Sequence, residues 1–225
     1  MNAQAKEQVI TLENVMIAIG RADARHSAKT GSATMQADLK KAVGYWDDAL
    51  CVFVAGMLNK ARIDQLTFLA TIADNMPVKA VMRASEFFAC LHAKDYNKLD
   101  GVTALSLLSA VHAGAVTRSA LVFATTGKGD ESTSDVVSDI SLVRKLQKAL
   151  KKTVGVTTEG TQNSRSFGSN GFCRYLNMGK MVKAKGASEA SLEVNAKSPF
   201  VAAIAKMVEQ ASEDTLSLVK GAKKD

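Results

Sequence analysis

The sequence predicts a mainly α protein, a multi-helix bundle with a small β-hairpin or loop in a Gly-rich basic segment near 153–186. Three observations predict it. The apolar residues lean on Ala, Leu, Val and Met, with aromatics at only 5 %, and Ala, Leu, Met and Lys are good helix formers. Apolar positions recur three and four apart along most of the chain, as an amphipathic helix requires. Only 2 prolines interrupt 225 residues, 47 % of them hydrophobic, so the chain can bury a genuine core.

Val9, Leu12, Val15, Met16 and Ile19 share a helical face, so residues 1–20 read as a first helix. Gly20 is expected to end it and to open a polar stretch, Arg21 to Ser32. A longer helix is expected from Ala33 to Lys60. Its second half, Leu50 to Leu58, is apolar on nearly every side and reads as a central buried segment. Gly44 and Gly56 read as points of close helix approach. Ile63 to Ala73 comes next as a short helix with Leu66, Leu69 and Ala70 inward. Pro77 suits the first turn of the next helix, where its missing N–H has no partner in any case. That helix runs to Ala93 with Val78, Val81, Met82, Phe88 and Leu91 inward, and Asp95 and Asp100 read as caps for the next segment.

Gly127 to Ser134 reads as a loop. Val136, Ile140, Val143, Leu146 and Leu150 then mark an amphipathic helix, with Asp135 and Asp139 near its start and Lys148, Lys151 and Lys152 near its end. That order complements the helix dipole. Glycines punctuate residues 153–188, where Val154 to Thr158 and Phe172 to Leu176 read as strands of a hairpin tipped by Thr161 to Gly171, or as a loop. A closing helix runs from Ser198-Pro199 to Val219, with Ser198 as its cap and Ile204, Val208, Thr215 and Val219 inward. Residues 1–127 form a helical core domain on this reading, and 128–225 a basic helical segment with the closing helix, or the whole is one domain.

Met1 to Glu7 lack the charged-then-apolar pattern of a signal peptide. The longest apolar run, Ala49 to Leu58, is far short of the ~20 residues of a spanning helix. A cytoplasmic protein without a membrane partner is expected. Cys51, Cys90 and Cys173 are odd in number and far apart, which fits buried free thiols better than a disulfide or zinc framework.

The net charge of +7 is unevenly spread. Between 144 and 185 stand ten basic residues, Arg144, Lys145, Lys148, Lys151, Lys152, Arg165, Arg174, Lys180, Lys183 and Lys185, against the single acid Glu159. Phe167, Phe172 and Tyr175 are interleaved with them. Basic side chains neutralise phosphates and release counterions, and exposed rings stack on unpaired bases. These residues are therefore the candidate nucleic-acid contacts, for DNA or RNA. A basic region also suits an acidic protein or a membrane surface.

Residues 103–126 carry a helix-turn-helix-like pattern. Ala110 allows close crossing, Gly114 marks the turn, Ala120 and Phe123 face back, and Thr117 caps a second helix that would present Arg118, Ser119 and Thr125 to DNA. Alanine at 120 and a single positive charge are poor for that motif, and ordinary core packing explains the same residues. The order of helix pair, basic helix and hairpin is that of a winged-helix-like module.

Catalytic signatures are missing. His26, His92 and His112 lie in none, Cys90 and His92 point to different faces of a helix, and Asp47 and Asp48 diverge. Thr125 to Gly129 resembles the end of a phosphate-binding loop, but Val122 stands where that loop needs glycine. The expectation is a non-enzymatic nucleic-acid-binding protein without a cofactor. The alternative is a helical assembly protein that packs against copies of itself, in the host cytoplasm or a virus particle.

Overall fold

The computed structural model describes residues 9–29, 32–95, 99, 111, 115–117 and 171–207. Helix α1 spans Leu12–Ser27, opened by Thr11, whose side chain accepts from the Asn14 amide at 3.2 Å. It does not end at Gly20. Val15, Ala18, Ile19 and Ala22 continue one buried face through the glycine. Beyond it, Arg21 pairs with Asp74 at 2.8 Å and Arg25 donates to the Met76 carbonyl at 2.7 Å. Tertiary contacts of this kind outweigh the ~1 kcal/mol penalty of a mid-helix glycine.

The single helix expected from 33 to 60 is two, α2 (Ala33–Val43) and α3 (Asp48–Lys60). Trp46 breaks it by burying its ring, with Nε1 donating to Ser85 Oγ at 2.9 Å. The Asp47 carboxylate then accepts from the Leu50 amide at 2.7 Å and caps α3. Helix α3 buries Leu50, Cys51, Val54, Ala55, Met57 and Leu58, but Val52 is 59 % exposed, so the helix is not enclosed on every side. Gly56 has no described atom within 4 Å of an added Cβ, and Gly44 only carbonyls of its own segment, so among the described residues neither marks a close helix approach.

Helix α4 (Gln65–Asp74) is capped by Asp64. It buries Phe68, Leu69, Ile72 and Ala73, whereas Leu66 is 63 % exposed and Ala70 faces solvent. The inward face is rotated from the predicted one because Gln65 is buried. Its Oε1 accepts the amides of Val9 and Ile10 at 2.9 and 3.0 Å, and its Nε2 donates to Asn59 Oδ1 at 3.1 Å. Helix α5 (Val78–Ala93) comes after Pro77, which occupies the cap position just before the first turn. Val78, Val81, Met82, Phe88 and Leu91 are all buried, as the sequence predicts.

Beyond the helices, three antiparallel strands stand in the order β1 (Ala115–Thr117), β3 (Ser191–Val194), β2 (Gly179–Val182). The strand expected at Phe172 to Leu176 is instead a 3-10 turn, Phe172–Arg174, and the hairpin lies at 179–194. Phe172, Cys173 and Leu176 are all fully buried. Inward positions at i, i+1 and i+4 fit a helical turn and conflict with the two-residue alternation of a strand. The proposed partner strand at 154–158 lies outside the described residues, as does the tip at 161–171 apart from Gly171, which opens the 3-10 turn. Helix α6 covers residues 199–207 and buries Phe200, Val201, Ile204 and Met207. Positions 208, 215 and 219 of the predicted closing helix lie outside the described residues.

Phe88 on α5 gathers the core. Its ring centroid lies 5.9 Å from those of Trp46, Phe68 and Phe200, while Phe87 lies 5.2 Å from Phe172. The five N-terminal helices, the 3-10 turn, β3 and α6 thus share one hydrophobic cluster. The boundary expected at 127/128 lies outside the described residues. No described helix is long and apolar enough to cross a membrane.

Candidate nucleic-acid interface

The β2–β3 ribbon has two faces, set by strand alternation. Met181 lies opposite Leu192, and Lys180 opposite Glu193. Leu192 is fully buried and Met181 packs against the core, so this pair anchors the ribbon. The Lys180–Glu193 pair consequently faces solvent. Lys183 and Lys185 stand in the connection to β3, both exposed, and Gly186 takes φ +85 there. That left-handed conformation is one glycine adopts without a side-chain clash.

Arg174 and Tyr175 sit at the base of this region. The Arg174 guanidinium lies over the Tyr175 ring at 5.2 Å, and the tyrosine hydroxyl reaches toward the Asn75 carbonyl at 3.5 Å. Tyr175 is half-buried, with one ring face against its neighbouring cation. Phe172 is fully buried against Phe87 and offers no ring to a base, contrary to its place among the interleaved aromatics. Across 171–207 the chain carries six Lys and Arg residues against Glu189 and Glu193. Of the candidate contacts, Arg174 and Tyr175 stand in the turn before β2, Lys180 on β2, and Lys183 and Lys185 in the connection beyond it. Arg118, Arg144, Lys145, Lys148, Lys151, Lys152, Arg165 and Phe167 lie outside the described residues.

The helix-turn-helix pattern meets a correction. Ala115–Thr117, the segment expected to form its turn and cap, is strand β1, paired through Ala115↔Glu193, Val116↔Leu192 and Thr117↔Ser191. Backbone groups of a tight interhelical turn are here engaged in a sheet. The remaining residues of that pattern, apart from the core-packed Val111, lie outside the described residues. The hairpin has a legible signal of its own, one that the charge pattern obscures: Ser191 to Val194 alternates polar and apolar residues.

Other chemistry-bearing residues are occupied structurally. His92 is exposed and stacks obliquely on Phe53 at 5.2 Å, while Cys90 is buried, so the two do diverge. None of the three cysteines is in a disulfide and all are buried, the Cys90 thiol donating to the Asp95 carbonyl at 2.8 Å. Burial, with Asp48 and Asp47 nearby, raises the Cys51 thiol from 9.0 to about 11, and burial raises Cys173 as well. Both stay protonated near neutral pH and are weak nucleophiles there. Among the described residues no group of three or more His, Cys, Asp or Glu side chains could hold a metal ion. Comparison with known proteins finds no matching family model, no matching curated protein and no matching solved structure.

Proposed function

We propose that this chain is a non-enzymatic nucleic-acid-binding protein whose basic segment contacts phosphates of DNA or RNA. The observation that carries the reading is the β2–β3 ribbon. One face is fixed by the buried Leu192, Lys180 stands on the opposite face, and Lys183 and Lys185 are exposed in the connection between the two strands. A cation on a braced strand, such as Lys180, or on a connection tied at both ends to paired strands loses less entropy on meeting a phosphate than one on a free chain. Each phosphate neutralised releases condensed counterions and adds to the salt dependence of binding. Arg174 extends this surface at the ribbon's base, and its stacking on Tyr175 holds the guanidinium in place.

The test is binding of labelled single- and double-stranded DNA and RNA by the full chain. Neutralising Lys183 and Lys185 together should weaken binding, whereas charge-preserving Arg replacements should retain it. Equal affinity in wild type and the neutralised double variant would remove the ribbon from the interface. Self-association is the second reading, favoured by the exposed Ile17, Val52 and Leu66. These lie on three separate helices, and isolated exposed apolar side chains are ordinary on protein surfaces, so the ribbon carries more weight.

A further inference from the structure

A cleft of about 550 Å³ lies where the end of α3 meets the start of α6. Asn177 and Asn195 place it at the base of the β2–β3 ribbon, the opposite end from the lysine-bearing turn. Lys60, Arg62, Asn177, Asn195, Lys197 and Ser198 line it together with apolar neighbours, and among the described residues no carboxylate does. We propose that this cleft is a binding site for a phosphate group. It is independent of the ribbon surface, because it involves none of the lysines on which that reading rests.

Three features support it. The first is charge: Lys60, Arg62 and Lys197 converge on one cavity. The nearest acid in sequence, Asp64, is engaged with the amide and hydroxyl of Thr67 at 2.8 and 2.9 Å.

The second is the start of α6. Pro199 has no N–H, and the first-turn amides of Phe200 and Val201 have no acceptor within the helix, which makes this end favourable for an anion. Ser198 occupies the cap position, its carbonyl accepting from the Ala202 amide at 3.0 Å. Its hydroxyl has no hydrogen-bond partner among the described residues although Ser198 is only 4 % exposed. A capping serine normally turns its oxygen onto the amides of its own helix. That hydroxyl therefore has no protein partner among the described residues, and Ser198 lines the cleft.

The third is a rigid floor. Asn195 donates from its backbone to the Met178 carbonyl at 2.9 Å and from Nδ2 to the Asn177 carbonyl at 2.9 Å. Its Oδ1 accepts the Lys197 amide at 3.2 Å, and its carbonyl accepts the Ser198 amide at 2.9 Å. One asparagine thus fixes the backbone carrying Lys197 and Ser198.

Arg62 adds a diagnostic. It takes φ 56 after α3, where its amide bonds to the Asn59 carbonyl at 3.1 Å and the Ile63 amide to the Leu58 carbonyl at 2.9 Å. This helix-ending geometry favours glycine. Arginine at that place is unfavourable for the fold and useful for an anion. Replacing Arg62 by Gly should therefore raise the melting temperature while weakening phosphate binding.

The experiment follows the backbone amides of the full chain by NMR during titration with inorganic phosphate at constant ionic strength. Wild type is compared with Arg62→Gly, Ser198→Ala and the double Lys183, Lys185→Ala variant. Expected are saturable shifts at Phe200, Val201 and Lys197, at least tenfold weaker in Arg62→Gly and unchanged in the double lysine variant. A parallel arm compares oligonucleotides with and without a 5′-phosphate. Tighter binding of the phosphorylated strand that vanishes in Arg62→Gly identifies a nucleic-acid end as the source. Equal binding of the two, with inorganic phosphate still bound, identifies a small free phosphate compound. No saturable shift by about 10 mM phosphate, the millimolar limit of useful affinity, overturns the proposal. So does saturation unaffected by Arg62→Gly. Phosphate affinity intact in folded Ser198→Ala also overturns it, because the unpartnered hydroxyl is what distinguishes this helix end.

Discussion

Phe87 of α5 and Phe172 of the 3-10 turn pack with ring centroids 5.2 Å apart, both fully buried. This packing fastens the base of the basic ribbon to the helical core, with Phe200 of α6 against the Phe87 ring at 6.3 Å. Replacing Phe172 by Ala should destabilise the protein by about 3–5 kcal/mol, from reduced burial and the cavity left behind. Chemical denaturation measures this. A change below ~1 kcal/mol, the range of a surface substitution, would contradict a core role.

Gly20 offers the opposite sign. It stands exposed inside α1 with no described atom near an added Cβ. Gly20→Ala should therefore stabilise the protein by up to ~1 kcal/mol, from helix propensity alone. Thermal and urea melts would show the gain.

Gln65 anchors the chain entering α1. Its Oε1 accepts two amides, those of Val9 and Ile10, and Gln65 itself is buried. Gln65→Leu keeps similar bulk but leaves those amides without that acceptor, which should destabilise by about 1–3 kcal/mol. Hydrogen exchange should quicken first at Val9 and Ile10. Unchanged exchange at both would contradict the anchoring.

The buried thiols set a pH dependence. The Cys51 thiol rises from 9.0 to about 11 on folding, chiefly through burial, and Cys173 also shifts upward. Between about pH 9 and pH 11 the unfolded chain therefore loses the Cys51 proton while the folded chain keeps it. Folding stability contributed by this proton is fully present below pH 9 and declines as pH rises through that window. Cys51→Ala should flatten part of the decline between denaturation curves collected below pH 9 and curves collected inside the window.

Sequence patterning located α5 and its inner face because Val78, Val81, Met82, Phe88 and Leu91 all obey one helical period. It failed where a single tertiary interaction overrides local preference. Trp46 splits α2 from α3 through its bond to Ser85, 39 positions away. Gln65 turns α4 so that Leu66 and Ala70 face outward, through partners near the N-terminus. Gly20 stays helical because Arg21 and Arg25 find Asp74 and Met76. At the ribbon, the lysines are legible as charge, yet the placement of Lys180 on the solvent face depends on the register that pairs Met181 with Leu192. The cleft at Arg62 and Ser198 had no sequence signature, since a left-handed arginine and an unused capping hydroxyl are visible only in three dimensions.

Nucleic-acid binding through the basic segment is tested most sharply by a salt series. Labelled single- and double-stranded DNA and RNA would be titrated with wild type, Lys183, Lys185→Ala and Lys148, Lys151, Lys152→Ala. Salt-sensitive binding is expected, with a log–log slope smaller by roughly 1–2 in the ribbon variant, given ~0.7–0.9 for each phosphate no longer neutralised. The Lys148, Lys151, Lys152→Ala variant should weaken binding further. Absence of binding to every probe at low salt, with wild type and variants all folded, would refute a nucleic-acid-binding role.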